Sequence, residues 1–228
     1  MNLPNAISAA RIVVSPLIAL LPLVPSPFWR TLAFVLYLVS AVSDYVDGWL
    51  ARTRGLITDL GKTLDPLADK LLLVATFVPM LMLQGAPSDP VAAFLGASVQ
   101  LPVASRFAFP FVTWFGTFAL PWWIVALVLG REAFMTVFRG LAGRRGVVIA
   151  SIWPAKWKAG MQYVWVGAAY FWFAARTFAT RDGWSGGFWD FTTNFVGFVG
   201  VTTMAMAVLL TLWSFVLYLR RHSALIVP

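Results

Sequence analysis

Apolar residues fill long stretches of this chain, and the polar residues that interrupt them come in clusters rather than in strict alternation. The runs and their proline, glycine and charged breakers predict six helices at about 6–24, 28–52, 63–84, 120–143, 154–176 and 192–220. Each is close to the roughly 20 apolar residues that a bilayer crossing needs. The expected fold class is therefore all-α: a polytopic membrane helix bundle with about six transmembrane helices, forming one domain over residues 1–228. Residues 85–119 are apolar but broken by prolines and glycines, and are expected to form an interfacial or re-entrant segment, with an extra pair of short spans as the alternative. No internal repeat or low-complexity tract is visible.

Composition agrees with a membrane protein: mean hydropathy is +0.80 and only 11% of residues are charged, against about 25% in soluble domains. Cysteine is absent, which excludes disulfides, thiolate metal sites and cysteine nucleophiles. The single histidine, His222, lies in a basic tail, so carboxylates are left as the main acid-base or metal-binding groups. The net charge of +8 points to anionic lipid or an anionic substrate rather than to nucleic acid, since the basic residues flank apolar runs. The apolar stretch near the N-terminus has no charged leader, carries Arg11 early and shows no small-residue cleavage site, so it reads as a retained first span.

With six spans, one side of the bilayer receives ten basic residues, Arg52, Arg54, Lys62, Arg139, Arg144, Arg145, Lys156, Lys158, Arg220 and Arg221. The other receives four, Arg30, Arg106, Arg176 and Arg181. This asymmetry puts both termini, and the turn after the second helix, in the cytoplasm.

That turn lies within "SDYVDGWLARTRGLITDLGKTLDPLADK", residues 43–70. Asp44 and Asp47 are three apart at the end of one predicted helix, and Asp65 and Asp69 four apart at the start of the next, so each pair shares a helix face. A short turn makes these helices expected antiparallel neighbours whose four carboxylates converge at the membrane edge. Such a cluster requires positive compensation. Two Mg²⁺ or Mn²⁺ ions suit its all-oxygen ligands better than zinc, and paired ions can clamp a transferring phosphate. Gly48, Ala51 and Gly61 leave room for close approach of a ligand, and Arg52 offers a bidentate phosphate contact. Asp59 reads as a helix cap or a solvated charge. A cation transporter is the competing class, and it would place its carboxylates near the bilayer midplane.

Written as a pattern, the segment is D-x2-D-G-x2-A-R-x8-G-x3-D-x3-D, filled by Asp44, Asp47, Gly48, Ala51, Arg52, Gly61, Asp65 and Asp69. It resembles the signature of the CDP-alcohol phosphotransferase family. The resemblance implies transfer of a phosphatidyl group from CDP-diacylglycerol to an alcohol with release of CMP. It further implies that Asp44 and Asp65 bridge two metal ions, that Asp47 and Asp69 complete one site each, and that Asp69 is the catalytic base. Gly48, Ala51, Arg52, Thr58 and Gly61 would then contact the CDP-lipid. The opening "NLPNAISAAR" resembles the family's cytidine-side segment and adds Asn5, Ser8 and Arg11.

For the acceptor, Arg131 and Arg139 are eight residues apart, about 80° around a helix, and Lys156 and Lys158 open the next helix. These four would form a basic recess for a phosphorylated acceptor. The R-E-x6-R and K-x-K segments resemble the family branch whose acceptor is glycerol 3-phosphate, with inositol 1-phosphate the alternative. The 85–119 segment and the linker "GLAGRRGVVIASIW" depart from that branch. The resemblance also implies a homodimer in the lipid bilayer, which the family occupies in the bacterial cytoplasmic membrane.

Overall fold

The computed structural model describes residues 2–54, 58–83, 111–118, 120–147 and 152–221. Among them are six long helices: α1 (Leu3–Leu20), α2 (Pro27–Thr53), α3 (Asp59–Met82), α4 (Trp122–Arg144), α5 (Trp153–Asp182) and α6 (Gly187–Arg221). A 3₁₀ turn, Leu21–Leu23, follows α1. The all-α membrane bundle is thus present, with helix centres where the apolar runs place them.

Capping chemistry explains the ends that moved. Asn2 accepts a hydrogen bond from the Asn5 backbone N–H at 3.2 Å, with a proline in the first turn, so α1 starts at Leu3 rather than near residue 6. Thr58 accepts from Gly61 N–H at 3.0 Å and starts α3 four residues early. Gly183, at φ 68°, ends α5 beyond the predicted residue 176.

Three helical segments are long and apolar enough to cross a membrane by length and composition alone: Leu3–Leu23, Pro27–Leu50 and Gly187–Arg221. Helices α3, α4 and α5 have 24, 23 and 30 residues, which at 1.5 Å per residue gives about 35–45 Å. Their lower hydropathy reflects polar residues turned inward, such as Arg131 and Lys158, both buried.

The packing order departs from one expectation. Helices α2 and α3 are not extended neighbours; α1 packs along both of them and lies between. Helix α5 packs against α2 and α6, while α4 touches α3 and α6 along shorter stretches. The core between these elements is aromatic. Tyr37 stacks on Tyr170 at 5.4 Å, the Tyr170 hydroxyl bonds to the Ile18 and Ala75 carbonyl oxygens, and Trp165 lies 4.9 Å from Phe77. At the other end of the bundle Arg30 is buried, donating to the Pro22 carbonyl at 2.9 Å and the Thr177 hydroxyl at 2.7 Å.

Within the 85–119 segment the described part is an antiparallel hairpin, β1 (Phe111–Thr113) and β2 (Gly116–Phe118), pairing Phe111 with Phe118 and Thr113 with Gly116. The remainder of that segment lies outside the described residues. Strand β1 sits on α6 at Gly197 and Gly200, where a Cβ would overlap the Val112 carbonyl and the Phe111 ring respectively.

Candidate active site

One face of α1 carries Asn5, Ser8, Arg11 and Ser15 at spacings of three, three and four residues, all buried. A polar stripe of this kind at membrane depth needs partners, and α2 and α3 supply them from opposite sides. The Arg11 guanidinium donates from Nη1 to Asp44 Oδ1 at 2.6 Å and from Nη2 to Asp69 Oδ1 at 2.9 Å, with Asp47 Oδ2 at 3.8 Å. Ser8 Oγ donates to Asp65 Oδ1 at 2.6 Å and reaches Asp47 Oδ2 at 3.4 Å. All four aspartates therefore converge on donors from α1.

Access to the cluster is uneven. The side chain of Arg11 is 3% exposed and that of Asp47 4%, whereas Asp44 is 27% and Asp69 47% exposed. Asp69 is thus the most open of the three carboxylates around Arg11.

Asn5 and Thr58 exchange two hydrogen bonds, at 2.9 and 3.1 Å, tying the start of α1 to the cap of α3. Gly61 allows this approach: a Cβ there would lie 2.8 Å from Asn5 Oδ1. The space expected at Gly61 for a ligand is therefore taken by Asn5, a correction whose cause is the close α1–α3 contact. Gly48 follows Asp47 on the same helix and is partly exposed. Ala51 and Arg52 belong to α2, but their side chains lie outside the described residues.

Among the described residues, no group of three or more acidic or histidine side chains is arranged to hold a metal ion. The donor set nevertheless fits hard divalent cations: its ligands are all oxygen, with three carboxylates around the Arg11 guanidinium and the fourth, Asp65, on Ser8.

Sequence reasoning missed Tyr163. From α5 its hydroxyl donates to Asp44 Oδ2 at 2.7 Å, while the Tyr37 hydroxyl donates to the Tyr163 carbonyl at 2.6 Å. A tyrosine inside the aromatic run "QYVWVGAAYFWF" gives no local signal of this role. Tyr163 also lines an apolar groove of about 590 Å³ between α2, α5 and α6, together with Phe34, Leu38, Val42, Gly167 and Phe171. The groove thus begins at a residue bonded to the aspartate cluster.

The four basic acceptor candidates separate into two kinds. Arg131 and Lys158 are buried and meet at Glu132, which accepts from Arg131 Nη1 at 2.9 Å and from Lys158 Nζ. Arg131 also reaches Ser214 Oγ at 3.1 Å. Arg139 and Lys156 are exposed, and the Arg139 guanidinium lies over the Tyr218 ring at 5.6 Å. Glu132 was legible only as the neighbour of Arg131; its bond to Lys158, 26 residues on, was not. Lys158 sits about 7.5 Å along α5 from Tyr163, by helical rise, so one helix carries both a member of the basic pair and the tyrosine bound to the aspartate cluster.

The family model for CDP-alcohol phosphatidyltransferase matches residues 1–213. A CDP-diacylglycerol--glycerol-3-phosphate 3-phosphatidyltransferase of Rickettsia bellii is 41% identical over 80 residues, which cover 35% of this chain and 44% of that protein. The Bacillus subtilis protein of the same name is 27% identical over 179 residues, covering 73% and 75%. A CMP-forming cardiolipin synthase of Streptomyces coelicolor is 32% identical over 152 residues, covering 64% and 54%. The chain thus spans less than half the length of the rickettsial relative and three quarters of the Bacillus one. With nearly the whole chain matched by the family model, and its eight motif residues distributed over two helices bound to one polar stripe, the chain belongs to the CDP-alcohol phosphatidyltransferase family.

Proposed function

We propose that this protein transfers the phosphatidyl group of CDP-diacylglycerol to glycerol 3-phosphate, releasing CMP, at the cytoplasmic face of a bacterial membrane. The observation that carries the reading is the convergence of Asp44, Asp47, Asp65 and Asp69 on Arg11 and Ser8. These four carboxylates would hold two Mg²⁺ or Mn²⁺ ions, which when bound supply charge neutralisation for the diphosphate.

The chain's own groups do the remaining work. Asp69, the most exposed of the Arg11-bound carboxylates, accepts the proton of the acceptor hydroxyl. The acceptor oxygen forms a bond to the lipid-side phosphorus as the bond from that phosphorus to the CMP oxygen breaks, and CMP leaves as the anion. Arg11, Asn5, Ser8 and Thr58 border the CDP-lipid side with Gly48, Ala51 and Arg52 of the motif, while Gly61 admits Asn5 to its place beside Thr58. Arg131 and Lys158 bind the acceptor phosphate, held in place by Glu132, with Arg139 and Lys156 at its exposed rim. The apolar groove ending at Tyr163 is suited to one acyl chain of the CDP-lipid. A homodimer remains part of this reading.

The test is CMP release by purified protein across an acceptor panel of glycerol 3-phosphate, inositol 1-phosphate and phosphatidylglycerol, with and without divalent cation. Glycerol 3-phosphate should give the highest kcat/KM. A preference for inositol 1-phosphate or phosphatidylglycerol reassigns the acceptor, and no CMP with any of them removes the reaction. Asp69→Asn should abolish turnover while CDP-diacylglycerol binding persists; an active variant moves the base elsewhere.

A further inference from the structure

Gln162 is 4% exposed, and its Nε2 has no hydrogen-bond partner. A buried amide donor left unpaired is unfavourable, and nothing in the surrounding fold compensates it. Its position is specific. Gln162 is four residues after Lys158 on the buried face of α5, so the two side chains project from one stripe a turn apart. The next residue, Tyr163, holds Asp44. Gln162 therefore lies between the cations that meet at Glu132 and the carboxylates that carry the chemistry.

The inference rests on the reading of a phosphorylated three-carbon acceptor given above. In such a molecule the phosphate is at one end, the reacting hydroxyl at the other, and a second hydroxyl between them. With the phosphate on Arg131 and Lys158 and the reacting end toward the aspartates, the middle hydroxyl falls beside Gln162. We propose that Gln162 is the specificity-determining residue for that hydroxyl, with Nε2 donating to its oxygen when the acceptor is bound. A site that leaves a buried donor unpaired rejects an analogue lacking the matching oxygen.

The experiment compares glycerol 3-phosphate with 3-hydroxypropyl phosphate, which differs only by loss of the middle hydroxyl, using CMP release by the full-length protein with CDP-diacylglycerol and Mg²⁺. The native protein should favour glycerol 3-phosphate in kcat/KM by about tenfold or more. In Gln162→Leu that preference should fall to within about twofold of unity, with the KM for CDP-diacylglycerol unchanged. Gln162→Met, unbranched and of similar length, repeats the test should the leucine fail to fold. A glutamine that merely fills the core predicts otherwise: both variants would melt at or above the native temperature and keep the native preference, and that result overturns the proposal. Absence of any preference in the native protein also overturns it. If the native protein releases CMP with neither compound, the acceptor reading falls and this inference with it.

Discussion

Replacing Arg11 by methionine removes the guanidinium but keeps an unbranched apolar stem of comparable reach. In the native structure that group bonds Asp44 at 2.6 Å and Asp69 at 2.9 Å, with Asp47 at 3.8 Å. Removing one partner of a buried ion pair costs about 3–5 kcal/mol. Asp69 is nearly half exposed, so water screens its share, and the loss left to Asp44 and Asp47 is about 2–4 kcal/mol. For a chain of this size each kcal/mol moves the melting temperature by about 2–4 °C. Arg11→Met should therefore melt roughly 5–15 °C below the native protein in detergent with a chelator present. Divalent cations should offset much of this deficit, because they bring positive charge to the same carboxylates. The rise on adding Mg²⁺ should accordingly be larger in the variant than in the native protein. Arg11→Lys should recover only part of the stability, since a single ammonium cannot fork between Asp44 and Asp69. Equal melting temperatures in chelator, or equal Mg²⁺ shifts in native and variant protein, would refute the idea that Arg11 and divalent ions compensate one charge cluster.

Two further perturbations probe the surroundings of the site. Tyr163→Phe removes the 2.7 Å hydrogen bond to Asp44, worth about 1.5–3 kcal/mol for a charged acceptor and less here because water reaches Asp44; kcat/KM for CMP release should fall about tenfold and the Mg²⁺ requirement should change, as a metal titration of initial rates will show. Gly197→Ala puts a methyl group onto the Val112 carbonyl and should destabilise by about 1–3 kcal/mol through overpacking, whereas Gly160→Ala, with open space around it, should be neutral or stabilising; melting curves of the two variants side by side check this.

Helix positions were legible because they rest on uninterrupted apolar runs, and the carboxylate pairs because helical spacing alone puts Asp44 with Asp47 and Asp65 with Asp69 on shared faces. What did not follow was the element between them. A short turn from α2 to α3 brings their ends together without requiring their sides to touch, and α1 occupies the interval. Likewise Tyr163 and Gln162 carry no signal of their own: what marks Tyr163 is its bond to Asp44, 119 positions away in the chain, and what marks Gln162 is a buried Nε2 without a hydrogen-bond partner.

The placement of α1 follows from charge accounting more than from hydrophobicity. Its stripe of Asn5, Ser8, Arg11 and Ser15 is visible in the sequence, but periodicity says only that these residues share a side, not what that side meets. Lipid is excluded, since a guanidinium and an amide would face hydrocarbon unpaired. Direct contact between α2 and α3 is disfavoured too, since it would press two pairs of like charges together with no donor between them. Inserting α1 resolves both difficulties: each carboxylate gains a donor from Arg11 or Ser8, and Asn5 finds the cap residue Thr58. Among the described side chains, the same arrangement leaves more negative than positive charge at the cluster. Arg11 is the one cation in the described ion pairs of this cluster, and the function proposed above assigns the remaining compensation to divalent ions.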